Sequence, residues 1–339
     1  MKKILTIYPN CSLGGMTSVY LGRLALDKNS QFDFIFINDK GGKDAFKNTN
    51  YRIINKDRLN NYFSYITHNI TYNEIRITSL PELTQHITDE VFIKTKIIYE
   101  FHTSSLNVIE NEIRKLNTSK INEIWVPSEY LKGIIQGFLS EEIILKVVPN
   151  IVNYDIFNPK NIRDKIYFQE GTQPIFWVGR LDKGKNYKDF FRLLSLLPEK
   201  YVGYLILSFE DDPSRISSAL LETELYKINN RTHFLLNLTQ DELNNLFVYS
   251  VASHGIFCST SLAESFGYAP LEAALSGLPV VTYEVGGISG HKEHNFAIHM
   301  INVGDTITMA ETITKLKWYD DYRKNIRARR QYIINNKFL

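Results

Sequence analysis

Short apolar runs alternate with stretches of helical periodicity along the first half of the chain. The chain opens with an apolar run at Lys3–Tyr8, passes a predicted turn at Pro9–Gly14 and continues with a helical pattern at Gly15–Leu26. Alternation of short strands with helices predicts an α/β fold, in which a parallel sheet is covered by helices on both faces. The later strands predicted in this half are Phe32–Ile37, Glu74–Thr78, Lys96–Phe101 and Ile121–Val126.

The second half repeats this alternation after an irregular connection. Polar, non-periodic sequence from about residue 149 to residue 173 is typical of an interdomain hinge. For 339 residues we expect two domains, at 1–155 and 156–317, and a final helix over 318–339 that packs back on the first domain. The strands predicted in this half are Ile175–Val178, Tyr204–Ser208, Thr232–Leu236, Gly255–Cys258 and Val280–Thr282.

Composition narrows the functional classes. A formal net charge of +2 gives no electrostatic case for nucleic acid as a partner. Cys11 and Cys258 are far apart without metal-ligand spacing, which indicates a reduced, cytoplasmic protein. The first apolar run is interrupted by Thr6 and ends at Pro9, so it is too short for a signal peptide. No stretch approaches the ~20 apolar residues of a membrane span, and we expect a soluble protein or one that rests on a membrane surface.

The strongest pattern for chemistry lies at residues 258–287. Glu264 and Glu272 are eight positions apart, and Phe266 and Gly267 follow the first of them. A helical pattern comes next, and a β-branched run then ends at a pair of glycines. This spacing of two glutamates around a glycine turn and a helix is the strongest indication of function in the sequence.

Two features of the first half also lie at predicted strand ends. Gly14 and Gly15 precede a helix, where paired glycines form a tight turn or let a phosphate approach main-chain N–H groups. Asp39 stands where a dehydrogenase places its ribose acid, but the G-x-G-x-x-G pattern is absent. His102 closes a strand at the edge where open parallel sheets bind ligands. It is either a functional residue or one that caps the next helix or faces solvent.

A basic loop follows the first strand of the second half. Arg180, Lys183 and Lys185 lie between this strand and a helix that begins near Asn186. Cations at a strand end just before a helix N-terminus predict an anion site, although a solvated basic loop has the same pattern.

Two further charged segments have alternative interpretations. Residues 210–212 are three consecutive acids, which favour either a metal site or the N-terminus of the following helix. The tail after Gly304 is helical, and its cations favour contact with anionic lipid or a polyanionic acceptor, or a solvated helix face. Its basic residues are Arg323, Lys324, Arg327, Arg329 and Arg330, and Trp318, Tyr319 and Tyr322 lie nearby.

Several motifs stand in the order and spacing of a known family. They are the Gly14-Gly15 loop, WVPSEYLK, VVPNIVNYDIFNP, VGRLDKGKN, and the Glu-x7-Glu stretch followed by SGLPVV and GG, and they span roughly residues 1–305. The chain thereby resembles the GT-B glycosyltransferases of the retaining family 4 type (glycosyl transferases group 1). The resemblance implies two Rossmann-like, doubly wound parallel-sheet domains that face each other across a cleft.

The resemblance also implies roles for the matching residues. Arg180 and Lys185 grip the donor diphosphate and stabilise the charge on the leaving phosphate. Glu264 faces donor sugar hydroxyls, Glu272 binds the ribose hydroxyls, and His102 lies by the sugar near the acceptor. The other implied contacts are Gly14 and Gly15 with the phosphates, Ser265, Phe266 and Gly267 with sugar or phosphate oxygens, and Asn237 and Leu238 with the base.

The chain departs from the family pattern in two places. Residues 149–153 read PNIVN where the family commonly has PNGVD, which alters a hinge turn. Gly290 stands where an acid often follows the glycine pair, so donor choice does not transfer simply.

The implied activity is retaining transfer of a sugar from a nucleoside diphosphate sugar to an acceptor hydroxyl. No metal or cofactor is expected, because Arg180 and Lys185 replace the divalent cation. Glu264 is a poor nucleophile if it holds sugar hydroxyls, so front-face attack assisted by the leaving phosphate is preferred. The alternatives are a nucleotide-sugar-binding protein without transferase activity, a GT-B phosphorylase or epimerase, and the dehydrogenase.

The expected donor is a UDP-sugar, with a GDP-sugar as the second choice. The expected acceptor is a glycan, glycolipid or polyol phosphate in bacterial surface polysaccharide, lipopolysaccharide or teichoic acid synthesis. We expect a cytoplasmic protein, with the basic C-terminal helix as a peripheral contact to the inner face of the plasma membrane.

Overall fold

Each half of the chain is built around one parallel β-sheet. The structure is a computed structural model that describes residues 1–139, 143–161, 165–208 and 213–336. The chain divides into two compact units, Met1–Ile151 and Val152–Leu339. The expected acidic cluster at residues 210–212 lies outside the described residues.

The first unit contains a seven-stranded sheet in the order β3-β2-β1-β4-β5-β6-β7, in which all neighbouring strands are parallel. Its strands are β1 Lys2–Ser12, β2 Ser30–Lys40, β3 Asn50–Ile53, β4 Glu74–Thr78, β5 Lys96–Glu100, β6 Glu123–Val126 and β7 Ile144–Val147. Its α-helices are α1 Gly15–Leu26, α2 Lys56–Asn69, α3 Asp89–Lys94, α4 Leu106–Lys115 and α5 Glu129–Gln136. All five residues of β4 are buried, as expected for a strand covered on both faces.

The second unit contains a six-stranded parallel sheet in the order β10-β9-β8-β11-β12-β13. Its strands are β8 Gln173–Val178, β9 Tyr201–Leu207, β10 Thr232–Leu236, β11 Ile256–Ser259, β12 Val280–Tyr283 and β13 Ile298–Ile301. Its α-helices are α6 Tyr187–Leu196, α7 Pro213–Leu225, α8 Gln240–Ser250, α9 Tyr268–Leu275, α10 Gly286–Ser289, α11 Thr306–Lys315 and α12 Trp318–Asn336.

Side chains alternate between two cores along the strands of this second sheet. Ile175 and Trp177 of β8 lie in one apolar cluster, whereas Phe176 between them lies in the other. Successive side chains of a strand point to opposite faces, so each face of the sheet has its own helix layer. Both units are therefore Rossmann-like, and the expected doubly wound α/β class is confirmed.

The predicted end of the first strand is wrong. β1 continues through Pro9 to Ser12. β1 pairs with β4 only over Ile4–Ile7, and beyond that point it pairs with β2 alone. Proline is tolerated there because the strand has lost one of its two hydrogen-bonding neighbours. β2 also extends to Lys40, so Asp39 lies inside a strand and not after it.

Helix α12 is anchored by one face. Trp318 is buried and its indole N–H donates to the carbonyl of Gly255 at 2.9 Å. Asn325, two turns on, receives the N–H of Ala297 at 2.6 Å and donates to the carbonyl of Leu278 at 2.6 Å. All of these partners belong to the second unit, and the expectation that the helix also packs on the first domain stays a prediction. None of the helices described is long and apolar enough to cross a membrane.

Candidate functional site

The strand order of the second unit brings two loops to one point of its sheet. β8 and β11 are hydrogen-bonded neighbours, with Ile175 opposite Ile256, although β9 and β10 lie between them in the chain. From this point β8, β9 and β10 follow one another to one edge of the sheet, and β11, β12 and β13 follow one another to the other edge. Open α/β sheets bind ligands at the carboxyl ends of the two strands where the order reverses in this way. The basic loop, residues 179–186, leaves β8 here, and the acidic loop, residues 260–267, leaves β11.

Hydrogen bonds hold the two loops together. The N–H of Leu262 donates to the carbonyl of Gly184 at 2.8 Å. The buried hydroxyl of Thr260 donates to the carbonyl of Asn186 at 2.9 Å and accepts from the indole of Trp177 at 3.1 Å. Neither loop can move far without breaking contacts with the other.

The two loops also place a cation against an anion. Lys185 Nζ lies 2.5 Å from Glu264 Oε1, and the side chains are 27% and 14% exposed. Both residues were predicted in the site, but each was assigned to a different part of a ligand. The structure shows that the two charges pair with each other.

Asp182 is a polar residue of the basic loop that sequence reasoning missed. Its carboxylate accepts the main-chain N–H of Lys185 at 2.9 Å and the Nε of Arg180 at 3.0 Å. The sequence did contain a signal for this role. An aspartate in a loop often accepts a main-chain N–H from a residue two or three positions later and so stabilises a turn. Arg180 itself is 56% exposed, so its guanidinium faces solvent at the rim of the loop.

The end of the acidic loop is packed too closely for larger residues. A Cβ added to Gly287 would lie 2.3 Å from the carbonyl oxygen of Ser265 and 2.5 Å from the N of Phe266. Gly267 has φ +86° and precedes the first residue of α9. The glycine pattern in the sequence therefore marks close main-chain packing around the start of α9.

His291 supports this turn from behind and was not predicted. Its Nε2 lies 3.2 Å from the carbonyl oxygen of Gly267, and its ring packs edge-to-face on Phe266 at 4.8 Å between centroids. Burial, assisted by the charge of His294, lowers the pKa of His291 to about 4. The ring is therefore neutral at physiological pH.

The other predicted residues of the second unit lie along the same structural elements. Glu272 is in α9 and is only 5% exposed. Asn237 follows β10 with φ +56°, and its N–H donates to the carbonyl of Leu207 at 2.7 Å. β10 is two strands from β8, which puts Asn237 and Leu238 about 10 Å along the carboxyl edge from the basic loop.

The first unit carries its predicted residues at the corresponding edge of its own sheet. Gly14 precedes α1 and Gly15 begins it, directly after β1, and a Cβ added to Gly15 would meet nothing within 4 Å. His102 follows β5 and is 11% exposed, with Nε2 3.0 Å from Glu100 Oε2. It does not cap α4, which begins behind Ser105. The capping alternative is therefore wrong.

Sequence comparison identifies the family. Residues 158–332, just over half of the chain, match the family described as glycosyl transferases group 1. The chain belongs to this family. The match contains the basic loop, the acidic loop and Glu272, whereas Gly14, Gly15 and His102 lie before it.

Relatives in sequence agree with this assignment, and solved structures share the fold. A subunit of human phosphatidylinositol N-acetylglucosaminyltransferase is 30% identical over 186 residues, which cover 54% of this chain and 36% of that protein. The "Probable sucrose-phosphate synthase" of Thermosipho melanesiensis is 26% identical over 317 residues, 80% of this chain and 70% of that protein. Anabaena HepE, solved with UDP and glucose, has a TM-score of 0.77 at 13% identity, with 99% and 97% of the two chains covered. The likeness to HepE shows that this member of the family has the GT-B fold.

Proposed function

We propose that this glycosyltransferase moves a sugar from a nucleoside diphosphate sugar to an acceptor hydroxyl, with retention at the anomeric carbon. The observation that carries the proposal is the meeting of Lys185 and Glu264 at the strand-order reversal of the second sheet. A cation for phosphate and a carboxylate for hydroxyls are the two groups that a sugar diphosphate requires.

The cations supply the electrophilic assistance. When the bond between the anomeric carbon and the phosphate oxygen breaks, negative charge grows on the leaving diphosphate. Lys185 and Arg180 stabilise this charge, and the start of α9, which has no side-chain cap at Gly267, adds main-chain N–H groups. These groups take the place of a divalent cation in the proposal. Among the described residues no cluster of three His, Cys, Asp or Glu is suited to hold a metal.

Glu264 binds the sugar and does not attack it. Its carboxylate is released when Lys185 turns to the diphosphate, and its oxygens then accept hydroxyls of the donor sugar. With this carboxylate occupied, retention follows from attack on the same face, with the leaving phosphate taking the proton of the acceptor hydroxyl. Glu272 binds the ribose, and Asn237 and Leu238 meet the base. The proposed role of His102 is contact with the donor sugar, and that of the Gly14–Gly15 turn is contact with the phosphates.

UDP is the proposed donor nucleotide, with GDP as the second choice. HepE, which shares the fold, was solved with UDP-glucose. The proposed acceptor is a glycan, glycolipid or polyol phosphate of a bacterial surface polymer. The proposed location is the cytoplasm, with α12 touching an anionic membrane through its exposed cations.

Substitution of one lysine tests the proposal. Lys185→Ala should lower sugar transfer about 10²–10³-fold, as loss of a group that stabilises transition-state charge does. The control is Lys188→Ala, because Lys188 is 58% exposed and pairs with Glu222, away from the acidic loop. A rate near that of the unaltered protein for Lys185→Ala would contradict the proposal.

Binding assays separate the alternatives. Thermal shift against UDP, GDP and ADP ranks the nucleotides, and saturation at 100 times the dissociation constant adds about 2.7 kcal/mol. A ligand that binds without sugar transfer or donor hydrolysis would indicate a binding protein. Turnover that depends on inorganic phosphate would indicate a phosphorylase.

A further inference from the structure

Glu100 is a buried carboxylate at the carboxyl end of β5. Its side chain has no exposed surface, and Arg23 Nη1 from α1 lies 2.8 Å and 3.0 Å from its two oxygens. Arg23 also lies 5.9 Å from the ring centre of Trp125 on the neighbouring strand β6. A buried charge costs several kcal/mol unless it is well paired, so this arrangement calls for a role.

The carboxylate is ionised in this setting. Burial alone would raise its pKa, but the charge of Arg23 and the hydrogen bond from His102 lower it well below the usual range. An ionised carboxylate only accepts hydrogen bonds. The ring nitrogen of His102 that faces it, Nε2 at 3.0 Å, must therefore carry a hydrogen and donate it.

In the neutral form of the ring, the opposite nitrogen is left without a hydrogen. In a neutral imidazole one nitrogen donates and the other accepts, so Nδ1 of His102 is an acceptor. Nδ1 is buried and has no hydrogen-bond partner within the described part of the chain. A buried acceptor without a partner is costly, and a ligand that donates a hydrogen bond would satisfy it.

We propose that Arg23 and Glu100 are positioning residues that hold His102 with Nε2–H donated to Glu100, so that Nδ1 accepts a hydrogen bond from a hydroxyl of the bound sugar. The hydroxyl part of the proposal rests on the proposed function. A hydroxyl suits the position because it donates and is neutral. A phosphate does not, because it lacks a donor and the charge of Glu100 lies beside the ring.

The form of the imidazole ring can be measured without substrate. Long-range ¹⁵N–¹H NMR of histidine-labelled protein, above the pH at which histidines titrate, distinguishes Nε2–H from Nδ1–H, and His102→Asn assigns the signal. We expect Nε2–H in the unaltered protein. If the unaltered protein has the Nδ1–H form instead, the proposal is overturned, and no variant of Glu100 is needed to show it.

Glu100→Gln should reverse the ring. Arg23 can only donate, so it takes the amide oxygen of the glutamine and turns the amide NH₂ toward His102. Nε2 then becomes the acceptor and the hydrogen moves to Nδ1. We expect the Nδ1–H form and a loss of about tenfold in kcat/KM. A loss of this size corresponds to the net free energy of about one hydrogen bond. An unchanged ring form in folded Glu100→Gln would overturn the proposal.

Glu74→Gln is the matched control. Glu74 is also a buried carboxylate in this sheet, paired with Arg76 at 2.6 Å and Lys2 at 2.5 Å. It lies opposite Lys96 at the other end of β5, about 13 Å along the strand from Glu100. The substitution removes the same charge from the same sheet, and it should leave the His102 ring form and kcat/KM unchanged within about twofold.

Two substitutions of His102 give an independent measure. Asn places its amide near the position of Nδ1, whereas Gln reaches the position of Nε2. We expect His102→Asn to retain more activity than His102→Gln. The reverse order would overturn the assignment of Nδ1 to the ligand.

Ligand titration separates this proposal from the proposed function. UDP-glucose should shift the Nδ1 signal of His102. UDP should not, because it lacks the hydroxyls of the glucose. Equal shifts with both would overturn the hydroxyl part. If neither ligand binds, both the proposed function and the contact with a sugar hydroxyl are refuted. The ring form of His102 would still test the positioning role of Glu100.

Discussion

Acid should destabilise the second unit through His291, which packs behind the acidic loop. The ring is buried between Phe266 and the carbonyl of Gly267, and burial, followed by the charge of His294, holds its pKa at about 4. In the unfolded chain an ordinary histidine has a pKa of 6.5. The folded protein therefore resists a proton that the unfolded chain accepts.

The size of the effect follows from this difference. One pKa unit corresponds to about 1.4 kcal/mol, so His291 accounts for about 3 kcal/mol of unfolding free energy. The folded pKa is the lower one, so this stability is complete above pH 6.5. It is lost as the pH falls from 6.5 to about 4, and below that range the loss levels off because both states bind the proton.

Urea unfolding at a series of pH values measures this loss. Trp177 and Trp318 are buried in the second unit and report its unfolding by fluorescence. His291→Gln has no imidazole to protonate, so its unfolding free energy should fall less steeply between pH 6.5 and pH 4. The difference in slope should approach 1.4 kcal/mol per pH unit, the value for one proton. His68→Gln, at an exposed position of α2, gives the background for loss of a histidine.

Parallel curves for the unaltered protein and His291→Gln would refute the reasoning. They would mean that the ring accepts its proton in the folded state with little cost. His294 is also shifted to a lower pKa by burial, so a slope that persists in His291→Gln but disappears on further substitution of His294 would move the effect to the second ring.

Two further predictions concern the acidic loop and α12. Gly287→Ala should destabilise the protein by about 1–3 kcal/mol and weaken the thermal shift by UDP, because its Cβ would lie 2.3 Å from the carbonyl oxygen of Ser265. Gly290→Ala is its control, since a Cβ there meets nothing within 4 Å, and equal effects of both would contradict the packing argument. Vesicles containing anionic lipid should bind the protein, and alanine at the four exposed basic residues of α12 should weaken this binding by about 1 kcal/mol per cation. Equal binding to neutral vesicles would contradict the membrane contact. The four residues are Arg323, Lys324, Arg327 and Arg330.

Some strands could be predicted from the sequence with their bounds, among them the edge strand β10, and others were missed. β4 and β10 have the predicted bounds, and α1 begins and ends as expected. β3 and β7 are edge strands of four residues in which exposed and half-buried positions alternate. β3 contains Asn50 and Arg52 and has no apolar run that distinguishes it from a loop, whereas β7 has one, at Ile144–Val147, that was not assigned to a strand.

The tail shows why a run of cations is ambiguous in sequence. Arg329 belongs to the same basic segment as Arg327, but it is half-buried and donates to the carbonyl of Tyr154 at 2.6 Å. Helical geometry turns Trp318 and Tyr322 to the core, where their rings stack at 5.4 Å, and leaves Arg327 in solvent. The helical periodicity could be seen in the sequence. It did not show which cations of the helix would donate to main-chain carbonyls and which would face solvent.

Pairings across long sequence distances were beyond reach. Lys185 and Glu264 are 79 residues apart, and Arg23 and Glu100 are 77 apart. The residue types predicted a site, because charged groups at strand ends meet at one edge of a parallel sheet. Which charges pair with each other depends on strand order, which one sequence does not specify.

The pairing of Lys185 with Glu264 bears on how a donor enters the proposed site. While Lys185 is paired with Glu264, it attracts a diphosphate less strongly than a free lysine does. The pair is mostly buried, with side chains 27% and 14% exposed, so it separates at low cost only when each charge gains a new partner. The diphosphate offers Lys185 more negative charge than one carboxylate does, and Glu264 gains sugar hydroxyls in the exchange. A nucleotide without the sugar satisfies Lys185 but leaves Glu264 without its new partners. If the proposed function is right, recognition of the complete donor therefore depends on one exchange of partners. Lys185 leaves Glu264 for the diphosphate, and Glu264 at the same time binds the sugar.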